Sequence, residues 1–200
     1  KLFYACCFGY DKRTKSAPHD VVAALDPQTG KVLWLTTKYA LSGACTISAQ
    51  DGRLYLGGSD PPAGFKAHHV LCLDARDGAL VWRSEDLLAP EHLVTIGPDF
   101  LFVNAHSEQF YLLDKQSGKI VSTLGEGYRC TRFTLNGDYL LGPNMDMIDV
   151  ADPAAIRLVS TGPRLDPCEC LSLCASNGRL YYTGHGGGLQ AGLIGSGAAP

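Results

Sequence analysis

The chain has 200 residues, of which 46% are apolar and 18% charged, and its formal net charge is −3. This composition fits one globular unit or part of a larger one, and the scattered Lys and Arg residues exclude the basic face of a nucleic-acid-binding protein. The longest apolar runs are short and interrupted, so no transmembrane segment is predicted. Residues 1–15 lack the pattern of a signal peptide, and the apolar run under way at the start is typical of a mature or truncated polypeptide.

The predicted elements, taken along the chain, are short β-strands. Apolar stretches rich in Val, Leu, Tyr and Phe alternate with Gly, Asp, Asn and Pro, which is the pattern of strands joined by tight turns. The dipeptides Asp51-Gly52, Asn136-Gly137 and Asn177-Gly178 indicate two-residue hairpins. No window of twelve residues has the 3.6-residue apolar period of an amphipathic helix. The sequence therefore predicts an all-β fold.

One sequence unit recurs along the chain. It reads ALDPQTGKVLW at 24–34, CLDARDGALVW at 72–82 and LLDKQSGKIVS at 112–122, and a degenerate copy, MIDVADPAAI, begins at Met147. A further apolar stretch precedes each copy, and a fifth, GRLYYTGHG, follows at 178–186. A repeat of this length is typical of a β-propeller or a solenoid.

These units resemble the tryptophan-docking motif of the quinoprotein-like (PQQ-like) β-propeller repeat, Ala-x-Asp-x-x-Thr-Gly-Lys-x-x-Trp. The first copy matches the motif at every fixed position. The second keeps Asp, Gly and Trp, the third has Ser122 instead of Trp, and in the fourth only Asp149 survives clearly. The docking residues that the resemblance implies are Asp26, Thr29, Gly30, Trp34, Asp74, Gly78, Trp82, Asp114 and Gly118.

The resemblance implies four-stranded antiparallel blades, about four to five of them in residues 1–200, as part of a larger propeller of seven or eight blades. It places the blades near 1–43, 44–91, 92–129, 130–169 and, in part, 170–200, with innermost strands at 44–50, 92–98, 130–135 and 170–175. In an alternative arrangement, residues 170–175 fill the inner place of the first blade and close a four-bladed ring. That arrangement leaves the strand RLYYTGH with an exposed edge, so the larger propeller is favoured.

Eight cysteines suit disulfides in an oxidising compartment, although several could be small buried apolar residues. Cys6 and Cys7 are adjacent and could form a vicinal disulfide, half of a metal site or two unrelated thiols. Adjacent Cα atoms lie about 3.8 Å apart, below the usual 4.4–6.8 Å of a disulfide, and neighbours in a strand point to opposite faces, which favours unrelated thiols. The candidate disulfide residues are Cys6, Cys7, Cys45, Cys130, Cys168, Cys170 and Cys174.

Metal ligands are weakly indicated. Cys168, Cys170 and Cys174 form the densest thiol cluster, and His185 could supply a fourth ligand, but the Cys-x-x-Cys spacing of common metal sites is absent. Disulfides are therefore favoured there. His68 and His69 end a long insertion between two strands, and we predict them to be solvated loop residues. The basic and aromatic insertion at 8–20 is likewise predicted to be a solvated loop, with a partner or an anion as the alternative.

The resemblance also bears on function. Quinone-dependent dehydrogenases of this fold hold PQQ between a tryptophan floor and a vicinal disulfide, beside calcium. Here Trp34 and Trp82 are the only tryptophans and both belong to the docking motif, so no catalytic, cofactor-binding or calcium-binding residue is predicted. We expect a non-catalytic binding or assembly platform that contacts a protein partner through its rim loops within a larger complex.

Two alternatives remain. One is a fragment of a PQQ-dependent dehydrogenase-type redox enzyme whose active site lies outside these residues, and only this alternative implies PQQ and calcium. The other is a structural component of an envelope complex. The repeat family occurs mostly in exported bacterial proteins, which together with the cysteine content predicts a periplasmic or extracellular location.

Overall fold

A computed structural model describes the chain at residues 1–6, 20–41, 47–59, 68–88, 92–105, 109–125, 133–142, 146–160, 173–183 and 189–193. Within these residues the chain forms nineteen β-strands in five antiparallel sheets and contains no helix. The all-β prediction is confirmed. None of the described segments forms a helix long and apolar enough to cross a membrane.

The first two sheets contain the N-terminal strands. The first sheet pairs β1 (Leu2–Cys6), β2 (Val21–Leu25) and β3 (Val32–Thr36) in that order. The second sheet is built from β4 (Ala40–Leu41), β5 (Ile47–Gln50), β6 (Arg53–Ser59), β7 (His68–Asp74) and β8 (Leu80–Arg83). Both β4 and β5 pair with β6, so together they fill the place of one innermost strand.

The remaining sheets repeat this order. The third contains β9 (His92–Ile96), β10 (Phe100–Ala105), β11 (Gln109–Asp114) and β12 (Ile120–Gly125). The fourth contains β13 (Thr134–Asn136), β14 (Tyr139–Leu141), β15 (Met147–Asp149) and β16 (Arg157–Ser160). The fifth contains β17 (Leu173–Ser176), β18 (Arg179–Thr183) and β19 (Leu189–Leu193). Each sheet is therefore one blade, and we call its strands A, B, C and D in chain order. By register the described strands of the first sheet are B, C and D, and those of the fifth sheet are A, B and C.

The A–B hairpins follow from their turn residues. Asp51 and Gly52 both have positive φ (50° and 74°), as do Asn177 and Gly178 (51° and 70°), which is the type I′ pattern whose twist matches that of the flanking strands. At the third predicted hairpin, β13 continues through Asn136 and the turn shifts to Gly137-Asp138. Gly137 alone has positive φ there.

Strands C and D of the first four sheets share a bulge. Their register shifts at Ala24/Leu25, Cys72/Leu73, Leu112/Leu113 and Met147/Ile148, in each case just before the anchoring aspartate. The extra D-strand residue is apolar and exposed in every copy: Leu33, Val81, Val121 and Val159. A bulge twists an edge strand and spoils its pairing with other chains, so the outer edges are protected despite these apolar side chains.

Successive sheets pack face to face, because alternate residues of a strand point to opposite faces. In the second sheet, Leu54 and Leu71 pack with Val22 of the first sheet, whereas Tyr55 and Cys72 pack with residues of the third. Both faces of β7 are covered by neighbouring sheets, so all seven of its residues are buried, including the polar His68, His69 and Asp74. Each large side chain removed from water in this way contributes about 1.5–3 kcal/mol.

The later interfaces differ in size. Phe102 and Phe110 of the third sheet pack with Phe133 and Leu140 around the fourth, and the Phe110 and Phe133 rings meet edge-on with centroids 5.3 Å apart. The described cluster between the fourth and fifth sheets has only Leu141 and Leu180 as buried members. Among the described side chains, this cluster is the smallest of the four.

One alternative and one expectation are corrected. In the alternative four-bladed ring, residues 170–175 fill the inner place of the first blade, but the described strand β17 (173–176) pairs with β18 in its own sheet and with no strand of the first sheet. His68 and His69 are not solvated loop residues: they begin β7 and are buried, with 6% and 3% exposure. The strand starts earlier than its apolar pattern because Gly58 and Ser59 extend the pairing of β6.

Candidate functional site: the two rims of the blades

The alternation of strand directions gives the stack of sheets two distinct rims. The A–B and C–D turns lie at one end of every sheet, which we call the turn rim. The B–C and D–A connections lie at the other end, the loop rim. Most loop-rim connections fall outside the described residues, including 7–19, 60–67 and 106–108.

The predicted docking turns are built around their aspartates. Asp26 Oδ1 accepts hydrogen bonds from the Thr29 backbone N–H (2.8 Å) and hydroxyl (2.9 Å). Asp114 Oδ1 accepts the same pair from Ser117, at 2.7 and 2.5 Å. An acceptor side chain that bonds donors two or three residues ahead is the local interaction that favours this kind of turn.

The two tryptophans dock on the turn of the following blade. Trp34 Nε1 donates to the Ala75 carbonyl (3.2 Å) and its ring lies over Gly78. Trp82 Nε1 donates to the Lys115 carbonyl (3.2 Å) and its ring lies over Gly118. A Cβ on Gly118 would be 2.5 Å from the Trp82 ring. Position 118 thus requires glycine for two reasons: a Cβ would collide with the indole ring, and the backbone has a positive φ of 73°.

The interface between the third and fourth sheets uses another arrangement. Ser122 occupies the tryptophan position, paired with Leu112, and its buried hydroxyl has no hydrogen-bond partner among the described residues. The C–D turn of the fourth sheet lacks the glycine and is longer, and its Ile156 is buried in the cluster shared with the third sheet. The third blade thus lacks a docking tryptophan, and the Ile156 side chain from the turn of the fourth blade is buried at this interface instead.

Hydrogen bonds lower the pKa of every anchoring aspartate: Asp26, Asp74, Asp114 and Asp149. At Asp26 the main cause is the backbone N–H of Thr29, and for the Asp114 pKa it is the Ser117 hydroxyl. Arginine side chains take this role elsewhere. Arg76 holds the pKa of Asp74 well below its usual range, and Arg157 lowers that of Asp149.

Lys115 joins the second and third sheets at the turn rim. Its Nζ donates to Gln50 Oε1 (2.9 Å), the Pro98 carbonyl (3.0 Å) and the Gly97 carbonyl (3.2 Å), and lies 3.6 Å from Asp51 Oδ2. The residue is 6% exposed. Burial of an ammonium group is costly unless its protons are bonded, and here three oxygens meet its three protons. Sequence reasoning missed this residue, because it lies at a variable position of the motif, where the other copies have Pro27, Ala75 and Val150.

The loop rim has a belt of buried polar side chains at the ends of strands B and C. The belt comprises Asp20, His68, His69, Asn104 and Asp146. Asp20 Oδ2 accepts from the Leu41 N–H of the next sheet at 2.6 Å. Nearby, the Leu87 N–H donates to the His68 carbonyl at 2.6 Å. These bonds fix the D–A connections against the start of strand C.

The described residues do not fit a quinone site. Both indole rings are covered by the turn of the next blade and both indole N–H groups are bonded, so neither is available to stack on a cofactor. Across the described segments, no group of three metal-capable side chains comes together.

The structure describes two cysteine side chains, and both are free thiols. Cys72 is buried and unpaired, and burial raises its pKa to about 12, so it is an unreactive core residue. Cys174 is a free, exposed thiol on β17, and any disulfide or metal bond to it needs a partner outside the described segments. The other predicted disulfide and metal candidates, namely the side chains of Cys6, Cys7, Cys45, Cys130, Cys168, Cys170 and His185, lie outside what the structure describes.

Comparisons with known proteins bear on the family. A family model described as "Outer membrane protein assembly factor BamB" matches residues 18–120. BamB from Moraxella catarrhalis is similar in structure, with 18% identity and a TM-score of 0.59, over 97% of this chain and 62% of that one. No curated protein matches in sequence.

Two computationally designed proteins are similar as well. Ika4 has 12% identity and a TM-score of 0.58, over 84% of this chain and all of its own. Ika8 has 12% identity and a TM-score of 0.58, over 88% of this chain and 55% of its own. At such identities these structures show the fold alone, and they agree with the blade architecture.

Proposed function

This chain belongs to the PQQ-like β-propeller family described as outer membrane protein assembly factor BamB, and on that premise we propose that it is a non-catalytic platform for protein binding in outer-membrane protein assembly. The family match over residues 18–120 is the observation that carries the proposal. We place the protein in the bacterial periplasm, where such assembly takes place, as one component of a larger complex.

The geometry supports a platform because successive blades are fixed to one another. Tryptophan rings, the Lys115 ammonium and the phenylalanine cluster each connect neighbouring sheets. On a rigid scaffold, the loops can bind a partner with a smaller loss of conformational entropy, because the rest of the surface is already ordered.

The loop rim is the binding face that we propose. The belt of buried polar side chains lies beneath this rim. Leu88 belongs to the rim and is 54% exposed, and its backbone N–H donates to the Tyr111 hydroxyl at 3.0 Å. An exposed leucine on a fixed backbone offers an apolar anchor of the kind that interface centres use.

Site-specific photo-cross-linking tests this assignment. A photoreactive phenylalanine derivative is placed at Leu88 in cells of the source bacterium, and the adducts are identified by mass spectrometry. We expect an adduct with a component of the outer-membrane assembly machinery. The matched control has the same derivative at Gln28, an exposed residue of a C–D turn on the turn rim, where no such adduct is expected. Equal adducts at both positions, or none at either, would argue against the loop rim as the binding face.

The proposal includes no cofactor. Titration of the chain with PQQ and calcium should leave the fluorescence of Trp34 and Trp82 unchanged, because both indoles are packed and bonded between blades. A saturable quench that requires calcium would favour the redox alternative.

An oxidising compartment further leads us to propose at least one disulfide among the cysteines outside the described segments. Alkylation of the denatured chain with and without reductant, followed by intact mass measurement, counts the paired thiols. An identical mass in both samples would mean that all eight cysteines are free.

A further inference from the structure

Asparagine followed by glycine occurs twice in the chain, each time at an A–B hairpin of the turn rim. Asn136-Gly137 lies between β13 and β14, and Asn177-Gly178 lies between β17 and β18. All four residues are exposed, and nothing described lies within 4 Å of a Cβ placed at either glycine. Because glycine has no side chain to shield its backbone nitrogen, that nitrogen can attack the preceding asparagine side chain. The two hairpins therefore offer the same chemistry in two backbone settings.

The two asparagines differ in backbone conformation. Asn136 is the last residue of β13 and pairs with Tyr139 of β14. Asn177 is a central residue of its turn, with a φ of 51°, and the hairpin around it is closed by Ser176 and Arg179. A residue other than glycine is strained at positive φ. Rotation of the Asn177 backbone toward the geometry of attack therefore relieves strain, whereas the same rotation at Asn136 breaks strand pairing.

We propose that Asn177 is a site of spontaneous deamidation in the folded chain, and that its isoaspartate product loosens the fifth blade from the fourth. The Gly178 backbone nitrogen gives up its proton to water or hydroxide and attacks Cγ of Asn177. A bond forms between these two atoms while the bond from Cγ to Nδ2 breaks, and the departing nitrogen takes up a proton and leaves as ammonia. Water then opens the cyclic succinimide. Opening at Cγ gives aspartate, and opening at the backbone carbonyl gives isoaspartate.

The second blade shows that the aspartate product fits this turn. Asp51-Gly52 occupies the same place in its own A–B hairpin, with φ values of 50° and 74° against 51° and 70° for Asn177-Gly178. Aspartate visits the left-handed region for the same reason as asparagine, because its short polar side chain can bond locally. Conversion of Asn177 to aspartate therefore preserves the hairpin and adds a negative charge to the turn rim.

The isoaspartate product does not fit the turn. Its main chain passes through Cβ and Cγ, which adds a backbone atom to a two-residue turn and displaces the pair that closes the hairpin. The next pair is Ala175 with Leu180. Both connect the fifth sheet to the fourth: the Ala175 N–H donates to the Thr134 hydroxyl at 3.4 Å, and Leu180 is buried in a cluster with Leu141. A shift of register moves side chains away from their partners, so the contact between these blades is weakened.

Peptide mapping by mass spectrometry tests the site. The folded chain and the chain unfolded in guanidinium chloride are kept at the same mildly alkaline pH, and the mass gain from replacement of the amide –NH2 by –OH is followed at both Asn-Gly sequences. In the folded chain we expect conversion at Asn177 about 5- to 30-fold faster than at Asn136, the ratio that corresponds to strain in the left-handed region. In the unfolded chain we expect similar rates, because neither asparagine is then held by a strand or a turn. Equal rates in the folded chain, including none at either site, or faster conversion at Asn136 would overturn the proposal.

The separated products test the consequence for the fifth blade. The aspartate and isoaspartate forms are resolved by chromatography, and isoaspartate is identified with a methyltransferase specific for isoaspartyl carboxylates. We expect faster hydrogen exchange of the β17 and β18 amides in the isoaspartate form, and unchanged exchange in Asn177→Asp, which reproduces the other product. Asn177→Gln is the matched control for the chemistry, since its longer side chain must close a larger ring, and it should stay unmodified. Identical exchange in the two product forms would overturn the loosening of the blade.

Discussion

At the scale of single residues, the docking turns reach one geometry through different bonds. Thr29 and Ser117 each bond their aspartate through a hydroxyl. The second copy has Asp77 at that position, and there Arg76 bonds Asp74 instead, with Arg76 Nη2 2.7 Å from Asp74 Oδ2. The aspartate is the invariant part of the turn, and its partner can be exchanged.

This bonding makes the stability contribution of Asp74 dependent on pH. Its pKa is lower in the folded chain than the unfolded value of about 3.9, so the ionised form stabilises the fold above that value and the stabilisation is lost as the pH falls toward the folded pKa. Asp74→Asn should therefore lower the free energy of unfolding at pH 7, and the difference from the unmodified chain should shrink at pH 3. Urea unfolding at both pH values measures it, with Asp138→Asn, on an exposed hairpin turn, as control. A loss at pH 3 as large as at pH 7 would contradict the assignment.

Two serines in D-strand regions give a matched pair for buried hydroxyls. Ser122 Oγ has no described partner, whereas Ser84 Oγ accepts from the Val70 N–H and donates to the Glu85 carbonyl, at 2.9 and 2.8 Å. Removal of an unbonded buried hydroxyl is neutral or favourable, and removal of a bonded one leaves partners unsatisfied. Ser122→Ala should leave the free energy of unfolding unchanged or raise it by up to about 1 kcal/mol, and Ser84→Ala should lower it by about 1–3 kcal/mol. Denaturant unfolding that shows equal losses for both would contradict this difference.

At the scale of elements, the hairpins and the repeat could be predicted because their signals are local. Asp51-Gly52 determines its own turn, and the docking motif lies within eleven residues at 24–34. The split of the second inner strand into β4 and β5, and the burial of His68, depend on pairing with β6. Such pairing is set by tertiary contacts that no local pattern encodes.

Substitutions at two glycines can separate the energetic contribution of the docking contact from that of backbone strain. Gly118 and Gly30 have nearly the same φ, 73° and 69°, but only Gly118 is covered by an indole ring, whereas nothing described lies within 4 Å of a Cβ at Gly30. Gly30→Ala should lower the free energy of unfolding by about 1–2 kcal/mol from strain alone. Gly118→Ala should cause the same loss from strain and lower the free energy of unfolding by a further ~1–3 kcal/mol, because the new Cβ displaces the Trp82 ring. Urea midpoints at constant slope measure both, and equal losses would mean that the ring adjusts without cost.

At the scale of the whole molecule, each described interface joins neighbouring sheets, as in other repeat proteins. Lys115 shows why such long-range features escape sequence analysis: its three acceptors lie 65, 18 and 17 residues away along the chain. The sequence predicts only that rim loops form the binding face. It does not predict the belt of buried polar side chains beneath them. The belt mixes aspartate, histidine and asparagine, so no single residue type marks it in the sequence.

The uneven interfaces predict uneven local stability. The second and third sheets are buried on both faces, while the described cluster of the fifth sheet is small. Native-state hydrogen exchange should therefore be slowest in β6, β7, β10 and β11 and faster in β18, because local opening costs less where fewer apolar contacts are broken. Uniform exchange across all sheets would instead indicate a single cooperative unit.

The exchange of tryptophan for serine at Ser122 has a consequence for how the blades are ordered. Trp82 fits a turn with glycine, as at Gly118, and the fourth sheet presents Ile156 in a longer turn instead. If the third blade were skipped or shuffled, an indole would meet that crowded turn, and Ser122 would face a glycine with a void between them. The junction between the third and fourth blades is therefore not interchangeable with the two tryptophan junctions, and this difference discriminates against misassembly and swapping between copies at that position.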